Sequence, residues 1–265
     1  MRRLASQRAV GVRPLRAWSI AAAIVAVITI TELSADTARI ASAANFSDVV
    51  TQLAADFEMN TDHKLETSVG STGQLYAQII RGAPYEVLLA ADQTRPSRLE
   101  AEGYAVPGSR FTYAIGRLAL WSADPCRVAE NGEVTLREGA FRHLAIANPK
   151  LAPYGMAAEQ TLRALGVYES LSARLVLGAN IGQAHALVAT GNAELGLVSL
   201  SSLASPHSRI AGSRWTVPRH LHDPIRQDAV LLKRGAGNRA AETFFAFLQS
   251  PAARRTILEY GYAVD

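Results

Sequence analysis

Apolar residues along this chain repeat with two different spacings in alternation. Phe46, Val49, Val50, Leu53 and Phe57 fall three or four apart and predict a helix, just after the short β-like run ARIASAA at 38–44. LETSVG (Leu65–Gly70) then reads as a strand, TGQLYAQIIRG (Thr72–Gly82) as a helix ending at its glycine, YEVLLAA (Tyr85–Ala91) as a buried strand and Arg95–Gly103 as a further helix. The second half continues in the same style. Phe111–Ala123 reads as one long β-rich stretch, and His143–Pro149 as a strand followed by a helix through MAAEQTLRALGV. Arg174–Asn180 is a strand followed by a helix through GQAHALVATG, and ELGLVSLSSL is an apolar strand. RWTVP and DAVLL are further β-like runs, and an amphipathic helix over Asn238–Tyr260, interrupted at Ser250-Pro251, ends the chain. Strands alternating with helices of this length imply βαβ units and mostly parallel sheets, an α/β fold. No Gly/Ser linker separates the halves, so two lobes would be joined by β-strands, a geometry suited to hinge closure.

The first residues stand outside this pattern. Arg2, Arg3, Arg8, Arg13 and Arg16 precede the apolar run Ala17–Thr31 and the small residues Ser34 and Ala35, with Glu32 as the only acid. A basic segment, an apolar segment of this length and small residues are the marks of a secretory leader over residues 1–35, the alternative being an uncleaved membrane anchor; a spanning helix normally needs about 20 apolar residues. The leader also changes the charge picture. The full chain has 27 basic and 23 acidic residues and a formal charge of +4, but five basic residues and one acid lie in the leader, leaving 22 of each. The positive balance therefore belongs to export and gives no support to nucleic-acid binding. With a single cysteine, Cys126, no disulfide framework can form within the chain.

Four strand-to-helix junctions share a composition: Ala44-Asn45-Phe46, Gly70-Ser71-Thr72-Gly73, Pro153-Tyr154-Gly155 and Asn180-Ile181-Gly182. A helix start exposes backbone N–H groups and the positive end of the helix dipole, so several starts meeting at one cleft bind an anion without charged side chains. Any one of them, taken alone, reads as ordinary capping by Asn, Ser or Thr. Two come from each half, and in a parallel α/β sheet they lie at the carboxyl ends of strands, where ligands bind.

Catalytic chemistry finds little support. Of the histidines only His220 and His222 are close in sequence, without a cysteine or carboxylate cluster at metal-binding spacing. No nucleophile elbow, H-E-x-x-H or P-loop occurs, and Cys126 lacks a neighbouring base. The chain reads as a binding protein, not an enzyme, with no cofactor and no cation-ligating residues.

The segments AANFSDVVTQLAADFE, SVGSTGQLYAQIIRGAPYEVLLAADQTRPSRLEAEG, LAIANPKLAPYGMAAEQTLRALG, PIRQDAVLL and FLQSPAARRTILEYGY resemble the periplasmic molybdate-binding proteins of ABC importers. The block from Gly70 to Asp92 carries the most specific part of that likeness. The resemblance implies a two-lobed type II periplasmic-binding fold, each lobe a mostly parallel sheet flanked by helices and the two joined by crossover strands. Lobe one would span 36–115 and 217–265, and lobe two 116–216. It also implies a periplasmic, monomeric receptor that captures molybdate, and tungstate with it, in the cleft and delivers it to a membrane ABC permease with its ATPase. A receptor for another tetrahedral oxyanion such as sulfate, or an anion-sensing signalling protein, is the alternative. The family's ligand positions fall on Asn45 with Ala44 before it, on Ser71 and Thr72, on Tyr154, and on Ile181, which would offer its backbone N–H. Some members place a ligand tyrosine where this chain has Ser199. Others use Asn and Tyr at the first and third junctions, and this chain resembles those, so Ser199 is not among the expected ligands.

Overall fold

The small and apolar residues of β1 (Thr37–Ala43) leave room for cover on both faces, and its last four residues are buried. Such a strand belongs at the centre of a parallel sheet. It pairs in parallel with β2 (Lys64–Gly70) on one side and β3 (Val87–Leu89) on the other. The computed structural model describes residues 35–204 and 211–264, so the leader expected over 1–35 lies, but for Ala35, outside the described residues.

The chain builds two five-stranded sheets. The first is completed by β4 (Phe111–Gly116) and, between β3 and β4, by β10 (Ile225–Leu231), which runs antiparallel to both. The second has the order β7-β6-β8-β5-β9, with β5 Leu118–Ser122, β6 Leu144–Ala147, β7 Leu175–Gly178, β8 Leu195–Ser199 and β9 Ser213–Thr216. Here β5 is the strand antiparallel to both neighbours, β8 and β9. The two sheets therefore repeat one plan, and in each the reversed strand is the one entered directly after crossing from the other lobe.

Helices α1 (Ser47–Met59), α2 (Thr72–Ile80), α3 (Thr94–Ala101), α8 (Arg239–Phe247) and α9 (Pro251–Glu259) cover the first sheet, while α4 (Gly132–Glu138), α5 (Pro153–Ala164), α6 (Tyr168–Leu171) and α7 (Ile181–Ala189) belong to the second lobe. One apolar layer of the first lobe holds Phe46, Leu53, Phe57, Phe244 and Ile257, the other Leu75, Ile79, Leu88 and Leu99. The second lobe buries Leu120, Trp121, Leu144, Leu162 and Leu197 around its own sheet, together with Val217 and Leu221.

The long β stretch over 111–123 is in fact two strands in different sheets, divided at Arg117. Periodicity could not show the break, because β4 and β5 are apolar on both sides of it. The helix expected from Met156 begins at Pro153, whose fixed φ and missing N–H suit a first helical position, and α4 and α6 are additional to the sequence reading. Among the described residues no helix is long and apolar enough to cross a membrane.

Candidate functional site

Each of the four junctions ends a strand and starts a helical turn. Ala44–Phe46 is a 3₁₀ turn after β1, Ser71 caps α2 after β2, Ala152 precedes α5 after β6, and Asn180 caps α7 after β7. The two sheets face each other at these ends. Ala43, Ala44, Asn45, Gly70, Ser71, Thr72 and Ala91 of the first lobe and Ala152, Pro153, Tyr154, Asn180 and Ile181 of the second line one narrow cavity of about 10 Å3. All six residues singled out from sequence, Ala44, Asn45, Ser71, Thr72, Tyr154 and Ile181, are in that lining. None of the lining residues carries a charge. Ser199 is not among them; it lines an adjoining seam with Asp48 and His185, and its buried hydroxyl has no hydrogen-bond partner among the described residues.

The backbone donors can be followed one at a time. At α2, Ser71 N–H donates to Gln74 Oε1 at 3.3 Å, Gln74 N–H to Ser71 Oγ at 3.3 Å and Gly73 N–H to Leu151 O at 2.9 Å. That leaves Thr72 N–H as the first-turn donor without an acceptor among the described residues. At α5, Pro153 has no N–H and Gly155 N–H donates to Ala152 O at 2.9 Å, leaving Tyr154 N–H. At α7, Gln183 N–H is taken by Asn180 Oδ1 at 3.0 Å and Ala184 N–H by Asn180 O at 3.2 Å, leaving Ile181 N–H and Gly182 N–H. Such leftover N–H groups are the positive ends of three helix dipoles, directed from both lobes into one small space.

The side chains divide into two roles. Ser71 Oγ donates to Gln74 Oε1 at 2.9 Å while accepting Gln74 N–H, so its hydroxyl is occupied in a capping box. Thr72 Oγ1 accepts Ala91 N–H at 3.0 Å and keeps its own hydrogen. Between Ser71 and Thr72, which sequence could not separate, Thr72 therefore has the free hydroxyl donor. Asn45 differs from expectation. Both hydrogens of its amide are used within the protein, to Gln227 Oε1 at 2.7 Å and Tyr262 Oη at 2.9 Å.

These last bonds belong to a buried polar relay behind the cavity that sequence reasoning missed. Gln227 Oε1 also accepts the Tyr113 hydroxyl at 3.2 Å, and Gln227 Nε2 donates to Tyr154 Oη at 3.4 Å. Tyr262 Oη donates to Asn45 O at 2.6 Å, and Ser201 Oγ donates to the same carbonyl at 3.0 Å. The relay thus joins Asn45, Tyr113, Gln227 and Tyr262 of the first lobe to Tyr154 and Ser201 of the second. Tyr154 fits so closely that a Cβ on Gly116, the last residue before the crossing, would stand 2.1 Å from its hydroxyl. Burial, and then the neighbouring phenols, push the Tyr154 hydroxyl well above the usual tyrosine value; burial does the same for Tyr113 and Tyr262. All three remain neutral hydroxyls. The signal in the sequence was the polar pair Gln227-Asp228 inside an apolar strand. Asp228, fully buried, is held by Arg110 Nη1 at 2.6 Å, Thr112 Oγ1 at 2.7 Å and Gln93 Nε2 at 3.1 Å.

A shell of neutral donors around an uncharged cavity suits a small anion, because every group left over can donate and none repels negative charge.

Residues 38–263 match the family described as bacterial extracellular solute-binding proteins. Over 227 residues, 86% of this chain and 90% of the relative, the sequence is 52% identical to the molybdate-binding protein ModA of Azotobacter vinelandii. It is 48% identical to the protein of that name from Rhodobacter capsulatus, over 85% of this chain and 87% of the relative. The solved structure of an Azotobacter vinelandii periplasmic molybdate-binding protein superposes with a TM-score of 0.83 at 42% identity, covering 86% of this chain and 99% of that one.

Proposed function

Since the chain belongs to the bacterial extracellular solute-binding proteins, and among them to the molybdate-binding group, we propose that it captures molybdate in the interlobe cavity and delivers it to an ABC permease. The observation that carries the reading is the convergence of four helix starts, two from each lobe, on one uncharged cavity. Molybdate is a dianion with acceptor oxygens only. The donors left over at Thr72, Tyr154 and Ile181, with the Thr72 hydroxyl and the N–H groups of Ala44 and Asn45, form a shell that only donates. Asn45, Ser71 and Asn180 contribute by holding the junctions in place, and the relay through Gln227 orients the first and third junctions together.

The same shell discriminates by protonation. Hydrogen phosphate carries an O–H that needs an acceptor, and a donor-only cavity leaves it unpaired at about 1–3 kcal/mol, roughly 5–150-fold in affinity. Sulfate has the same charge and shape as molybdate, so selection against it rests on fit to the larger anion, and tungstate is accepted with molybdate. Closure brings the second lobe's donors onto an anion already held by the first, so the ligand stabilises the closed state by its differential affinity. The leader exports the protein to the periplasm, where a monomer with no net charge beyond the leader holds the dianion by local dipoles instead of bulk charge.

Calorimetric titration of the mature protein with molybdate, tungstate and sulfate tests the proposal. Saturable binding of molybdate and tungstate, with sulfate weaker by tenfold or more, is expected. Tight sulfate binding with no heat from molybdate would overturn the ligand assignment.

A further inference from the structure

The first turn of α2 does more than line the cavity. Gly73 N–H, the second donor of that helix, is directed across the cleft to Leu151 O of the other lobe at 2.9 Å. The acceptor is held firmly. Leu151 N–H donates to Asn148 O at 3.0 Å, Lys150 N–H to Asn148 Oδ1 at 3.0 Å, and Asn148 N–H to Gly178 O at 2.8 Å, so the loop before α5 is a braced turn. A Cβ on Gly73 would stand 2.8 Å from Leu151 O and 3.2 Å from Leu151 Cα. Of the three nearest atoms the one in its own lobe is the far end of the Arg95 side chain, at 3.2 Å, which need give by only a few tenths of an ångström while it stays paired with Asp92. The backbone of Gly73 is an ordinary helical one, so the position does not need glycine for its dihedrals.

From this we infer that Gly73 and the Leu151 carbonyl form the closure latch of the cleft, a main-chain contact that measures how near the lobes come. The inference rests on the binding reading above and names the residue pair by which the filled cleft is held shut. A methyl group at residue 73 is harmless while the lobes are apart and collides with main chain when they meet. It therefore removes closed-state population without touching a donor of the cavity lining, and apparent affinity falls with that population.

Gly73→Ala is the test, since it keeps the N–H and adds only the methyl. The ligand-free variant is expected to melt at the wild-type temperature or above it, because alanine is the better helix former. Its Kd for molybdate is expected to rise tenfold or more, chiefly through faster dissociation, and the contraction on ligand addition seen by small-angle scattering is expected to shrink. Wild-type affinity together with wild-type contraction would overturn the latch. So would a lowered melting temperature of the ligand-free variant with unchanged contraction, which would make Gly73 a packing residue. The wild type is measured in parallel with molybdate, tungstate and sulfate. If it ignores molybdate the ligand reading fails, and the latch is judged on whichever of the three anions raises its melting temperature.

Discussion

Tyr154→Phe separates the two things its hydroxyl does. The ring is retained, so the core of the second lobe is undisturbed, but Gln227 Nε2 loses the acceptor it has at 3.4 Å in a side chain with no exposure. An unpaired buried donor costs about 1–3 kcal/mol. In a domain of this size 1 kcal/mol moves Tm by roughly 2–4 °C, so the ligand-free variant should melt some 2–12 °C lower. Removing a hydroxyl from the third junction should also weaken molybdate binding by about 1–3 kcal/mol, or roughly 5–150-fold. A thermal melt with and without ligand reads both effects. At a molybdate concentration 100 times the wild-type Kd the wild type gains about 2.7 kcal/mol; a tenfold weaker variant at the same concentration gains only about 1.4 kcal/mol. Its ligand-induced rise in Tm should therefore be about half that of the wild type. An unchanged ligand-free Tm would refute the relay through Gln227, and an unchanged ligand-induced rise would remove the Tyr154 hydroxyl from the site, leaving only its N–H.

Thr72→Val should cost more molybdate affinity than Ser71→Ala by calorimetry, because the Ser71 hydroxyl is occupied by Gln74 while Thr72 keeps a free hydrogen; the reverse order would show that the capping box yields to the anion. Asp228→Ala leaves Thr112 Oγ1 and Gln93 Nε2 without their buried acceptor, while Arg110 is partly exposed and keeps Glu100 Oε2 at 3.2 Å, so denaturant melts should show a loss of about 1–3 kcal/mol; an unchanged midpoint would show that the cluster adds nothing to stability. At Glu194 burial opposes ionisation, but Arg142 Nε at 2.9 Å and the His143 N–H at 2.9 Å outweigh it and bring the carboxyl down from 4.5 to about 2. A carboxyl depressed in the folded state stabilises above its unfolded value and loses that contribution as pH falls through its folded one. The stability gap between wild type and Glu194→Gln should thus be constant above about pH 5 and close between 4.5 and about 2; a pH-independent gap would show that Glu194 acts only by packing.

How much could be read from the chain alone depended on the range of the interaction concerned. The 3.6-residue spacing of Val49, Leu53 and Phe57, and the closed apolar run around Val87–Leu89, are local signals and predicted the elements that formed. The junction residues were legible for the same reason. Ser71, Pro153 and Asn180 are chosen by the helix starts beside them, whatever the rest of the fold does. The break at Arg117 was not legible, since what divides β4 from β5 is the choice of a different sheet, made by partners more than a hundred residues distant in β10 and about eighty in β8.

Local residue patterns alone specify an α/β chain with a leader-like start, no net charge beyond it, and four neutral helix starts suited to an anion. What each donor does depends on contacts between distant parts of the folded chain. Asn45 and Ser71 look equivalent to Thr72 as residues, yet their hydrogens are taken by Gln227, Tyr262 and Gln74, and Thr72 keeps its own. A hydrogen bond depends on which acceptor lies within about 3 Å, and across this cleft those acceptors come from parts of the chain that no local pattern connects.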